Sequence, residues 1–211
     1  MARPRRILVV GASGGIGRAV MAAGTARGWT CLGTSRRAGA ADFVLDCSDR
    51  DGFELAVMRL FTAEGPFDAV VYCAGVCPVR PLSTLDAVTL ADVQRVNCEA
   101  FILLMKHFAR PGAAAKEGAT VVAISSVSAT EGWAGGSAYC ASKAALSAAC
   151  RALDVELAAK KIHVVALEPS YVRTEMFRQG AGRMGVPDTV ALPPEVFAEQ
   201  VLEALNLEAG E

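Results

Sequence analysis

The feature that most limits what this chain can become is a glycine-rich loop set between an apolar run and a helix-forming stretch. Residues 7–10 read Ile-Leu-Val-Val and stop at Gly11. The loop Gly11-Ala12-Ser13-Gly14-Gly15-Ile16-Gly17 follows at once. Helical sequence then runs from Ile16 to about Arg27, with Gly28 as its stop signal. Glycine permits a tight turn and lets a backbone approach a ligand closely. The N-terminus of the next helix offers unpaired N–H groups and a partial positive charge, which suit a pyrophosphate. The spacing is G-x-x-x-G-x-G, through Gly11, Gly15 and Gly17; Ser13 breaks the commoner G-x-G-x-x-G.

Strand and helix signals then alternate to residue 167. Strands are expected at 29–35, 42–46, 69–73, 120–125 and 162–167. Helices are expected from 49 to about 64, from about 89 to 109, and from 137 to 160. Residues 36–41 are too few for a crossover helix. Near-continuous apolar strands separated by helices imply an α/β fold, with a doubly wound Rossmann-type parallel sheet of about six strands and helices on both faces. Such sheets bind ligands at the carboxyl ends of their strands. At roughly 150 residues per domain, the 211 residues make one domain, 1–211, which includes the substrate site. Residues 176–194 carry three Gly and three Pro and read as an irregular flap or loop. Residues 194 to about 207 should form a helix packed near the exposed sheet edge, limiting unwanted strand pairing.

The net charge of −1 argues against general affinity for nucleic acid or an anionic membrane. No apolar run approaches the ~20 residues that span a bilayer. Arg3, Arg5 and Arg6 ahead of the first apolar run imitate a signal peptide, but the run is too short and the glycine loop follows it. A cytoplasmic protein is expected. The seven cysteines are odd in number and scattered, with no CxxC pair, as in reduced thiols rather than a disulfide framework. His107 and His163 have no partners at metal-ligand spacing, so no metal is expected.

Tyr139 and Lys143 are four residues apart on a helical segment and can point into one cleft. A lysine cation beside a phenol favours the tyrosinate and lowers its pKa from about 10. Ser125 and Ser126 end the fifth strand, where a hydroxyl can donate to a substrate carbonyl. Asn97 lies inside the preceding long helix, a poor place for Asn.

On these residues the chain closely resembles the short-chain dehydrogenase/reductases over roughly residues 5–176. The resemblance rests on the glycine loop, Ala74-Gly75 after the fourth strand, Asn97, Ser126, Tyr139 and Lys143. The thirteen-residue step to Tyr139 is the family's usual spacing and selects Ser126 over Ser125. It implies that Tyr139 protonates the carbonyl oxygen while Ser126 orients it. Lys143 would hold the nicotinamide ribose, and Asn97 would anchor a proton-relaying water. Gly11, Ser13, Gly14, Gly15, Ile16 and Gly17 would cradle the cofactor pyrophosphate. Asp46 and Cys47 would lie beside the adenine. Cys73, Ala74, Gly75, Pro169, Val172 and Thr174 would complete the cofactor site, residues 169–174 holding the nicotinamide carboxamide.

The second strand ends in Thr34-Ser35-Arg36-Arg37, where NAD enzymes of this family usually carry an acid. Arginine there suits a 2′-phosphate, so the expected cofactor is NADP(H) rather than NAD(H). Trp133 lies in the segment that lines the substrate pocket in relatives; it either touches substrate or packs locally. Arg80 reads as a surface residue, with an anionic substrate as the alternative. The expected function is reduction of a carbonyl, or oxidation of a secondary alcohol, of a small molecule. The alternatives are a 3-oxoacyl-thioester reductase and a non-catalytic NADP-binding regulator. Four departures stand out: Val10 for Thr, Tyr72-Cys73 for an Asn-Asn pair, Ser170 for Gly, and no recognisable Gly-rich seventh strand after 176. The two long helices keep the family's bundle contact: on the second, the stripe Leu146, Cys150, Leu153 and Leu157 can cover the sheet while faces of Ala and Ser meet a partner, the alternative being a helix buried only within its own chain. A homodimer is therefore expected, without the contact a seventh strand would make.

Overall fold

The computed structural model describes residues 5–206. Arg3, and the end expected for the last helix at Leu207, lie outside them. Six strands form one parallel sheet: β1 (Arg6–Val10), β2 (Thr30–Ser35), β3 (Phe43–Val44), β4 (Ala69–Tyr72), β5 (Ala119–Ile124) and β6 (Ile162–Leu167). Their order is β3-β2-β1-β4-β5-β6, with all neighbours parallel. This is the doubly wound order, and its switch point falls between β1 and β4. The helices are α1 (Gly15–Ala26), α2 (Phe53–Glu64), α3 (Ala87–Gln94), α4 (Ala100–Phe108), α5 (Ser137–Leu157), α6 (Glu175–Gln179) and α7 (Pro194–Ala204).

Successive strand residues point to opposite faces. Leu8, Val10, Val70, Tyr72, Val121 and Ala123 join the layer beneath α2, α4 and α5. Ile7, Val9, Ala69, Val71, Val122 and Ile124 join the layer beneath α1 and α7. Both faces are covered, so the strands show no polar alternation.

Several boundaries differ from expectation for local reasons. β3 keeps only two paired residues, because Asp42 turns its carboxylate to the Gly33 N–H at 2.7 Å. α2 starts at Phe53 rather than 49, because Asp49 Oδ1 accepts the N–H groups of Asp51 and Gly52 in a turn. α3 starts earlier than 89, capped by Asp86, which accepts the Thr89 N–H at 2.7 Å. The stretch 176–194 is not wholly irregular. It contains most of α6, two short 3₁₀ turns and a bridge pairing Val172 with Leu192 at its base.

The C-terminal helix is not at the sheet edge. α7 lies on the sheet face beside α1, with Phe197, Ala198, Val201, Leu202 and Leu205 all buried against β1, β4 and β5 residues. Burying one large apolar side chain contributes roughly 1.5–3 kcal/mol. The broad central face covers the whole stripe, whereas an edge would cover little of it. The β6 edge is blunted instead by α5: Asp154 accepts the Val164 N–H at 2.9 Å and pairs with His163 Nδ1 at 2.6 Å. A carboxylate on an edge N–H interrupts the template that another strand would use.

Candidate active site

The carboxyl ends of the strands open into two adjoining cavities of about 370 and 650 Å³, which share Cys73, Gly75, Cys77 and Met176. The larger runs past the glycine loop. Gly11 has φ +83°, and a Cβ there would lie 2.8 Å from Ala74 N. A Cβ at Gly17 would lie 2.4 Å from the Gly11 carbonyl oxygen. Only glycine lets α1 start this close to the loop, and no side chain caps α1. Its first N–H groups are free for an anion. These features fit the pyrophosphate of a dinucleotide.

The larger cavity is also lined by Ser13, Gly14, Ser35, Arg36, Arg37, Asp46, Cys47 and Ala74. Ser35 Oγ donates to Ser13 Oγ at 3.1 Å and accepts the Arg37 N–H at 3.2 Å, which ties the β2 corner to the loop. Arg36 and Arg37 are exposed. Among the described residues neither has a carboxylate partner, so both guanidiniums can reach a phosphate.

The smaller cavity holds Ser126, Tyr139 and Lys143, with Ile16, Trp133, Pro169, Val172 and Thr174 on its walls. β5 ends just before Ser126, and α5 carries Tyr139 and Lys143 on the face turned to it. The Ser126 hydroxyl lies near the Tyr139 hydroxyl and lowers the tyrosine pKa. Burial outweighs it, so Tyr139 is held well above the usual phenol value. The expected depression by Lys143 is not seen with the protein's own groups. The ammonium lies 5.7 Å from the ring centroid and donates to the Ile124 carbonyl at 2.7 Å. Burial lowers Lys143 itself to about 8. The Cys77 thiol is pushed up to about 11, chiefly by burial, so it stands in the cleft as a neutral group, not a nucleophile.

Asn97 lines neither cavity. Its Oδ1 accepts the Val76 N–H at 2.8 Å, and its Nδ2 donates to Val76 O and Ser142 Oγ, both at 2.9 Å. The side chain thus braces the loop after Gly75 against α5. It sits in a π-helical turn, Arg95–Glu99, between α3 and α4. There Ala100 N–H reaches back to Arg95 O, not to Val96 O as in an α-helix. Tyr72 Oη donates to the Val96 carbonyl at 2.6 Å. A buried phenol therefore ties the end of β4 to the π-helical turn. Sequence reasoning missed this role; the available signal was an aromatic residue ending a buried strand where the family has Asn. Tyr72→Phe removes the donor and leaves a buried carbonyl unpaired. It should lower stability by about 1–3 kcal/mol, read as an earlier midpoint in urea unfolding.

Both histidines pair with carboxylates: His107 Nε2 with Glu54 at 2.7 Å and His163 with Asp154. All seven cysteines are free, and Cys140 is absent from the cavity walls. No helix among the described residues is long and apolar enough to cross a membrane.

A family model described as short chain dehydrogenase matches residues 5–182. D-erythrulose reductase of Gallus gallus is 31% identical over 187 residues, covering 83% of this chain and 74% of that protein. The 3-oxoacyl-[acyl-carrier-protein] reductase FabG of Escherichia coli is 30% identical over 183 residues, covering 81% and 75%. A solved short chain dehydrogenase from Burkholderia cenocepacia, in complex with NADP, superposes with a TM-score of 0.83 at 19% identity, covering 97% of this chain and 85% of that one.

Proposed function

The chain belongs to the short-chain dehydrogenases, and from that premise we propose that residues 1–211 act as one unit, an NADP(H)-dependent carbonyl reductase with Tyr139 as its general acid. The chain is an oxidoreductase acting on C=O and CH–OH groups. The observation that carries the site assignment is the meeting of Ser126, Tyr139 and Lys143 at the end of β5, in a cavity continuous with the glycine cradle. A dinucleotide held at its pyrophosphate by the glycine cradle would supply the hydride from its reduced nicotinamide. Ser126 orients the carbonyl oxygen. Tyr139, kept protonated by burial, donates the proton as negative charge builds on that oxygen. Lys143, anchored on the Ile124 carbonyl, would hold the cofactor ribose. Asn97 and Tyr72 position this group without touching it. A non-catalytic regulator is disfavoured because the three reacting side chains are assembled together.

Arg36 and Arg37 support NADP(H) over NAD(H). Replacing both with Ala should weaken NADPH binding about tenfold to a hundredfold, as expected for one lost charge-assisted bond, and leave NADH nearly unchanged. Fluorescence titration of both cofactors checks this; equal losses would overturn the assignment. Reduction of a panel of ketones, sugars and acyl thioesters with NADPH tests the activity itself.

The protein is proposed to act in the cytoplasm as a homodimer. The outer face of α5 carries Ala141, Ala148, Ala152 and Val155, all exposed, Val155 at 80%. Exposed Ile102 on α4 is the matching apolar group in a two-fold helix bundle. Light scattering should give twice the chain mass; a monomer would remove the bundle.

A further inference from the structure

Resting on that reading, we propose that the carbonyl substrate is a neutral ketone bearing an aromatic or alicyclic ring, and that Trp133 is the residue that selects it. The indole flanks the Tyr139 ring in the same cavity, the two rings 6.3 Å apart between centroids and tilted by 52°. Its place is built into the chain in two ways. Trp133 Nε1 donates to Ser128 Oγ at 3.1 Å, which satisfies its polar atom and leaves the ring face as the offered surface. Gly136 makes room for it: a Cβ there would lie 2.4 Å from the indole Cε2. Tyr171, Met176 and Phe177 also line the cavity. Tyr171 and Phe177 pack edge to face at 5.6 Å. Yet Tyr171 and Met176 remain 41% and 40% exposed, an apolar surface that an apolar substrate would cover.

The polar inventory points the same way. Ser126 and Tyr139 are committed to the carbonyl oxygen and Ser128 to the indole. Among described side chains on the wall, Ser170, Glu131 and the Tyr171 hydroxyl are the oxygen-bearing groups left uncommitted, all on exposed residues at the rim. A polyhydroxy ketone would lose water from several hydroxyls and find few partners in return, which binding does not tolerate cheaply. An anionic carrier thioester meets the Glu131 carboxylate, and Lys143 is 4% exposed. Arg80 does not line the cavity. This preference departs from the sugar and carrier substrates named for the two relatives above, which is why it needs its own test.

Initial rates with NADPH should be compared for acetophenone, L-xylulose and acetoacetyl-coenzyme A on the wild type, Trp133→Ala, Trp133→Phe and Gly136→Ala. Acetophenone should exceed the other two by at least about tenfold in kcat/KM, the size of one modest apolar contact difference. Trp133→Ala and Gly136→Ala should each lower acetophenone kcat/KM by about tenfold, chiefly through KM, and leave the NADPH Kd within twofold. Trp133→Phe should recover most of the loss. A preference for the ketose or the thioester, or no change in Trp133→Ala, overturns the substrate class alone. NADPH binding with no carbonyl reduced overturns the carbonyl reductase reading and this inference with it.

Discussion

Tyr139→Phe should lower carbonyl reduction by about 10²–10⁴-fold, the range a positioned general acid supplies, while NADPH binds within a few-fold of wild type. The ring stays, so its packing against Trp133 persists; only the hydroxyl that meets Ser126 is lost. Burial holds that hydroxyl well above the usual phenol value. The acid is therefore loaded throughout the neutral range, which favours reduction. Oxidation of the alcohol needs the tyrosinate and should improve as pH rises. Stopped-flow reduction beside a cofactor titration separates the two roles. A variant within a few-fold of wild-type turnover would remove Tyr139 as the acid.

Lys143→Met should have two effects of opposite kind: activity falls at least about a hundredfold, and stability at pH 7 rises. The ammonium is buried and its pKa is lowered from the usual 10.5 to about 8, mainly by burial. Between those values the unfolded chain holds a proton that the folded chain has released. Stability of the wild type must then rise with pH from about 8 to 10.5 and carry the full penalty below 8. That gap, at ~1.36 kcal/mol per pKa unit, bounds the penalty at roughly 3 kcal/mol. Losing the charge-assisted bond to Ile124 O returns roughly 1.5–3 kcal/mol of it. Met removes the charge at similar length, so a net gain of at most about 2 kcal/mol is expected at pH 7, shrinking as pH approaches 10.5. Urea unfolding at pH 7 and pH 10 measures both; a less stable variant at pH 7 would show that the lysine holds the site together instead.

The architecture was legible because its signals are local and repeated. A β-branched run that stops at Gly11, and apolar runs at 69–72 and 119–124, allow little besides a parallel sheet covered on both sides. The Ser126, Tyr139 and Lys143 group was legible because its spacing survives folding unchanged. What sequence could not show depends on pairs distant along the chain. Tyr72 reads as core until Val96 O is seen beneath its hydroxyl. The sequence around Trp133 does not show the Ser128 hydroxyl that takes its N–H or the space at Gly136 that its ring fills. The i,i+4 spacing gives proximity, not where the ammonium points; Lys143 turns to Ile124, and burial holds the phenol pKa up. The stripe on α7 announced a buried face but not which surface buries it.

That placement of α7 bears on how the protein is made. Ile7 and Val9 leave the ribosome long before Phe197, Val201 and Leu202, which complete the layer over them almost two hundred residues later. Contacts this far apart must close a long loop before they return any stabilisation, and they slow folding. One sheet face can consolidate early under α2, α4 and α5, while the other waits, partly bare, for the last helix. A nascent chain in that half-built condition shows β-branched surface to its neighbours, so chaperone engagement should concentrate on this face and end when α7 docks.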